Sequence, residues 1–100
     1  MKKYKVFLTG RNFWMEANGQ PKQMGFYTTR FVNADTPENA ENLAVQLIRE
    51  DSKLREAVIN ERSDPPTIYA EDIELLQTFE GIKVPGTGYT FYEEESEGNA

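Results

Sequence analysis

One hundred residues, 38% apolar and 28% charged, are enough for one domain around one hydrophobic core, and they exclude a disordered chain or a membrane protein. The chain contains no cysteine and no histidine, which removes disulfide frameworks, thiol nucleophiles, cysteine-bearing zinc sites and the usual histidine-based hydrolytic mechanisms. The net charge of −6 speaks against general affinity for nucleic acid, but it is unevenly spread. Residues 1–30 carry six bases against the single acid Glu16, a balance of +5, and residues 31–100 carry five bases against sixteen acids, a balance of −11.

The start Met1-Lys2-Lys3 imitates the charged end of a signal peptide, but Lys5, Arg11 and Asn12 interrupt any apolar stretch behind it. No apolar run exceeds three residues, so no spanning helix is expected and a cytoplasmic location is inferred.

Residues 3–15 predict a first strand. Tyr4, Val6 and Leu8 alternate with Lys3, Lys5, Phe7 and Thr9 and should face the core. Alternation fails beyond Gly10, where Phe13, Trp14 and Met15 are consecutive, and a glycine there suggests a bulge that changes which side chains face inward. Asn18-Gly19 is a strong hairpin signal, although Pro21 suggests a flexible tip rather than a tight two-residue turn. Residues 24–34 predict a second strand, with Tyr27 and Phe31 assigned to the inside because Arg30 shares the other face with Phe26, Thr28 and Val32.

Thr36-Pro37-Glu38 combines an N-cap, a first-position proline and an acid that complements the helix dipole. The helix it opens should run to about Glu50, with Ala40, Leu43, Ala44, Leu47 and Ile48 as its apolar stripe. Asp51-Ser52 can cap a second, shorter helix over about residues 53–61, which Pro65-Pro66 would end. Residues 67–77 predict a third strand, residues 80–88 a loop and residues 89–92 a last short strand. Residues 93–100 should form an acidic, solvated tail outside a single domain of residues 1–92.

The order β-β-α(-α)-β-β describes an α+β two-layer sandwich, with helices on one face of a mainly antiparallel sheet. The strand–helix–strand order between Met24 and Leu76 leaves room for a parallel pair, and hence a mixed sheet.

Three groups of residues invite a chemical reading. The hairpin interleaves Phe7, Phe13, Trp14, Phe26, Tyr27 and Phe31 with Lys5, Arg11 and Arg30. Basic and aromatic residues on a sheet can stack single-stranded bases, with Lys5, Arg11 and Arg30 as the contacts, but the Gly-aromatic motif of RNA-binding sheets is missing. Glu71, Asp72 and Glu74, like Glu93-Glu94-Glu95 and Glu97, can be imagined as acid–base or metal ligands, yet they lack calcium-loop spacing and are read as solvated charge. Lys83-Val84-Pro85-Gly86-Thr87-Gly88 resembles a phosphate cradle only in composition, and Pro85-Gly86 fits the centre of a type II turn.

The leading expectation is therefore a non-enzymatic, self-associating module with no cofactor, most simply a homodimer. Twelve aromatics exceed what one helical layer covers. A second subunit can cover the other sheet face, with Phe13, Trp14 and Tyr27 at the interface. The alternatives are a single-stranded nucleic-acid or regulatory module, and an enzyme with a carboxylate, lysine or tyrosine site.

Overall fold

A computed structural model of the chain describes residues 1–94. It contains β1 (Lys2–Ala17), β2 (Gln20–Ala34), α1 (Pro37–Arg49), α2 (Ser52–Ala57), β3 (Thr67–Leu76) and β4 (Thr90–Glu93). The strands form one sheet in the order β3-β1-β2-β4, and every pairing is antiparallel. Because β1 lies between β2 and β3, those two strands run in the same direction without touching. The strand–helix–strand connection therefore makes no parallel pair, and the sheet is not mixed.

The β1–β2 hairpin dominates the molecule and gives it a long axis of 45 Å. Its turn is a tight two-residue one: Asn18 and Gly19 have φ of +54° and +79°, and Ala17 pairs with Gln20. Both central residues thus take the positive φ that matches strand twist. Pairing continues through Glu16 and Pro21, because β4 covers β2 only from Met24 to Tyr27 and the proline needs no outer partner. The turn is therefore the tight two-residue form that Pro21 was expected to prevent.

Tyr4, Val6 and Leu8 face the helices and are buried, as their alternation predicts. The expected bulge lies just after Gly10: Gly10 pairs with Phe26 but Phe13 with Met24, so Arg11 and Asn12 together oppose one residue, Gly25. Asn12 takes φ +62° there. The extra residue moves Phe13 and Met15 onto the helix side, where Phe13 packs with Phe26 at 4.9 Å between ring centroids.

In β2 the assignment of faces is reversed from the expectation. Phe26, Thr28, Arg30, Val32 and Ala34 are buried, and Tyr27 is exposed. The reason is Arg30, which is held inside by Thr28, by backbone carbonyls and by the face of Tyr89.

Thr36 caps α1 by accepting from the Asn39 amide at 3.1 Å, and Arg49 stands in its last turn. The buried stripe is Ala40, Ala44 and Ile48, with Leu47 half-buried. Leu43, expected inside, is 46% exposed. Ala40 and Ala44 take the positions against the sheet, and Leu43 lies at the edge of their stripe. Asp51 caps α2, which stops at Ala57, short of the expected 61. The chain leaves the helix there to pair with β1: Val58 bridges to Met15, and the Ile59 amide donates to the Trp14 carbonyl at 2.8 Å.

β3 carries a bulge at Glu71, since Phe7 pairs with Asp72 and Leu8 with Ala70. The Ala70 amide on this edge strand donates to the Glu41 carboxylate of α1 at 2.9 Å, which blunts an edge open to further pairing. The connection to β4 bends at the cis Val84–Pro85 peptide, and Gly86 takes φ +97°. Pro85 accepts from the Phe31 amide at 2.8 Å, laying the segment beside β2. β4 reaches Glu93, and Glu94 is tied to β1, so the ordered contacts run past the expected boundary at residue 92. The rest of the expected tail, residues 95–100, lies outside the described residues.

Candidate functional site

Both helices pack on one face of the sheet. The opposite face has no helical layer among the described residues. Its composition follows from strand parity. In β1 the residues out of phase with Tyr4, Val6 and Leu8 are Lys3, Lys5, Phe7, Thr9 and Arg11. Phe7 pairs beside Thr29, and Thr9 beside Tyr27. In β4, Tyr92 pairs opposite Gly25 and comes onto the same face.

Three rings cross three strands there. Phe7 and Tyr27 stack with centroids 5.7 Å apart and planes 10° from parallel; Tyr27 and Tyr92 stack at 5.3 Å and 26°. Gly25 makes the row possible, because a Cβ at that position would lie 2.4 Å from the Tyr92 ring and hydroxyl. Phe7 is 36% exposed and Tyr27 43%. Beneath the rings Thr9 is buried, and its hydroxyl donates to Glu71 at 3.2 Å. At the far end of the face, Phe79 meets Phe31 edge-on and Lys3 lies 6.0 Å above its ring. Burial, and then the neighbouring Tyr27, raise the Tyr92 phenol above its ordinary value.

Charge on this face is nearly balanced. Lys3, Lys5 and Arg11 on β1 stand beside Glu71, Asp72 and Glu74 on β3, with Lys5 paired across from Glu74. Arg11 forms an ion pair with Glu94 at 3.2 Å. Hydrogen bonds to Tyr69 first and Glu94 second raise its pKa further, so it stays charged. The face is thus an apolar row in a mixed-charge setting, on a chain whose net charge is −6.

The residues singled out in the sequence are dispersed by the fold. Tyr27 is the centre of the row. Trp14 is half-buried near the hairpin end, in a separate recess with Pro21, Ile59 and Asn60. Phe13 is 3% exposed and belongs to the core, so it cannot serve an interface; the bulge at Arg11-Asn12 turned it inward. Lys5 and Arg11 lie on the outer face, but Arg30 is 4% exposed on the inner one. The three bases proposed as nucleic-acid contacts therefore do not form one surface, and the two outward ones stand among carboxylates. Glu71, Asp72 and Glu74 are exposed on the edge strand, and no group of three or more acids is placed to hold a metal among the described residues.

The sequence marks Phe7 only as one of the hairpin aromatics, outside the expected interface of Phe13, Trp14 and Tyr27, and marks Tyr92 for no site. Phe7 was marked by standing on the polar side of the β1 alternation. Tyr92 becomes visible only when Gly25 is known to lie opposite it.

No protein family matches the chain, and neither does any curated protein or solved structure. No helix among the described residues is long and apolar enough to cross a membrane.

Proposed function

We propose that this chain is a non-enzymatic module that self-associates through the outer face of its sheet, a second copy covering the row Phe7–Tyr27–Tyr92. The observation that carries the reading is this row of stacked, part-exposed rings on a face that no helix covers among the described residues. Tyrosine and phenylalanine are the residues that interfaces bury at their centres. The charge distribution selects the occupant. Two copies with net charge −6 repel wherever acidic surfaces meet, but this face carries Lys3, Lys5 and Arg11 against Glu71, Asp72, Glu74 and Glu94, so like meets like here at little electrostatic cost. A polyanion finds no such patch, because Arg30 is turned inward. A cytoplasmic location belongs to the same proposal, since the fold relies on core packing and draws on no disulfide.

Light scattering on a sizing column, across a dilution series, tests the reading. The wild-type chain should run as a dimer that dissociates on dilution. Tyr27→Asp, which places a charge in the centre of the row, should run as a monomer with an unchanged circular dichroism spectrum. A wild-type monomer at every concentration, or a Tyr27→Asp variant as dimeric as the parent, refutes it.

A further inference from the structure

Arg30 presents a physical problem that the outer face does not explain. It is 4% exposed, and the ion pairs formed among the described residues, Arg11–Glu94 and Lys22–Glu93, do not include it. A buried cation is costly unless its donors are well occupied. Its bonds to described residues are all made through Nη1, which donates to the Thr28 hydroxyl, to the Thr29 carbonyl at 2.8 Å and to the Gly88 carbonyl at 3.3 Å. The guanidinium carbon lies 5.1 Å from the centroid of Tyr89. A guanidinium has five N–H donors. No side-chain nitrogen among the described residues is both fully buried and without a partner, so Nε and Nη2 are not orphaned and keep a small contact with solvent.

The opening is a cavity of about 310 Å³ lined by Arg30, Leu47, Glu50, Asp51 and the Pro85–Gly88 segment. That volume lies at the small end of the range of ligand pockets. Gly86 and Gly88 both have positive φ, and on that side they alternate with Pro85 and Thr87, so only two of the four wall residues carry side chains. The two carboxylates differ in how far they are engaged. Asp51 accepts from the Lys53 and Leu54 amides through Oδ1 and from the Tyr89 hydroxyl through Oδ2. Glu50 accepts from Gln46 through Oε2 at 2.7 Å, and Oε1 has no partner among the described residues.

The cavity therefore offers a guanidinium edge and a free carboxylate oxygen, with the apolar side of Leu47 in the same wall. A simple anion would gain Arg30 but meet the charge of Glu50 and Asp51. A simple amine would gain Glu50 and the charge of Asp51 but would leave the Arg30 guanidinium without a counter-charge from the ligand. We propose that the cavity binds a small zwitterion of the α-amino acid class, its carboxylate on the Nε–Nη2 edge of Arg30 and its ammonium on Glu50. Arg30 is then kept inside to recognise a carboxylate by a planar, bidentate contact, for which guanidinium geometry is suited.

Isothermal titration of the full chain with L-alanine and L-valine, beside propionate, propylamine and inorganic phosphate, tests the assignment. At least one amino acid should bind saturably, with propionate and propylamine each about tenfold weaker or more, as the loss of one charge contact implies. Glu50→Gln alters an exposed side chain and should fold normally. It should weaken the amino acid about tenfold and bring it level with propionate. Arg30→Lys, if it folds, should lose the preference for the carboxylate. No heat with either amino acid at millimolar concentration overturns the proposal. So does phosphate or propionate binding as tightly as the amino acid, or a Glu50→Gln variant that binds the amino acid as the parent does.

Discussion

The Tyr89 hydroxyl donates to the Asp51 carboxylate across 2.7 Å, joining the loop before β4 to the junction between the two helices. The contact couples three tasks. Asp51 caps α2 with its other oxygen, the Tyr89 ring packs edge-on against Phe26 at 4.9 Å, and its face lies beside Arg30. The inner wall of the sheet, the helix junction and the last loop are therefore held by one short network.

The network gives the fold an alkaline limit. Burial first, and the Asp51 hydrogen bond second, push the Tyr89 phenol up to about 12 from its ordinary 10. The folded state keeps a proton that the unfolded chain loses above pH 10, so this contribution is fully present below 10 and is lost as pH rises toward 12. Urea midpoints should fall across that interval in the parent. In Tyr89→Phe the fall should be shallower, at a cost of about 1 kcal/mol at neutral pH for the lost hydrogen bond. Equal slopes in the two proteins would show that Tyr89 is not the controlling group.

Asp51 sets the opposite limit. The hydrogen bond from Tyr89 is the largest influence holding its carboxyl below the usual 3.8, assisted by the Leu54 and Lys53 amides and by the charge of Arg30, while burial opposes them. Its contribution is present above 3.8 and is lost as pH falls through the depressed folded value. Asp51→Ala should cost about 1–2 kcal/mol at neutral pH through the lost cap. Asp51→Asn keeps a capping oxygen and should cost less, while flattening the acid limb of stability. Thermal denaturation between neutral and acid pH separates these effects.

Two glycines in the sheet should respond differently to the same added methyl. A Cβ at Gly10 would lie 2.3 Å from the ring of Phe26, which is fully buried and packed by Phe13, Tyr89 and Phe91. That ring has nowhere to go, so Gly10→Ala should destabilise by about 1–3 kcal/mol or more. A Cβ at Gly25 would meet Tyr92 at 2.4 Å, but Tyr92 is half-buried and can swing outward. Gly25→Ala should cost less stability and instead break the Tyr27–Tyr92 stack, weakening self-association. Denaturation and light scattering on the two variants should therefore rank them in opposite orders.

How much of this was legible in the residues depended on how local the deciding interaction was. The β1 core face followed from Tyr4, Val6 and Leu8 alone, and the start of α1 from Thr36-Pro37-Glu38, because strand alternation and helix capping are written within a few positions. The face of β2 differs from the expectation because an arginine in a strand ordinarily points outward, and Arg30 points in. What draws Arg30 inward is the Gly88 carbonyl and Tyr89, 58 and 59 positions away along the chain, and neither leaves a trace near it. The end of α2 was missed for the same reason, since Val58 leaves the helix to pair with Met15. The aromatic surplus was visible, and Tyr27 is among the rings left part-exposed. Its membership was not, because one bulge sends Phe13 inward while Phe7 stays out.

That bulge supplies a further test. Asn12 holds φ +62° and is bonded on every side: its amide donates to Glu94 at 3.0 Å, its side chain donates to Asp64 at 2.8 Å and to the Pro65 carbonyl at 3.2 Å, and it accepts from Gln23 at 2.8 Å. Asn12→Gly keeps the backbone comfortable and loses the side-chain bonds. Asn12→Ala loses the same bonds and adds the left-handed penalty, about 1–2 kcal/mol for a residue with a Cβ. The alanine variant should therefore be the less stable by about that amount, measured by urea denaturation. Because the bulge is what puts Phe13 beside Phe26, a relaxation that removed it would have to expose Phe13 or unpair the hairpin end. Equal stability of the two variants would mean that the bulge relaxes when its side-chain bonds are lost, and that the hairpin register is held by the Asn18-Gly19 turn alone.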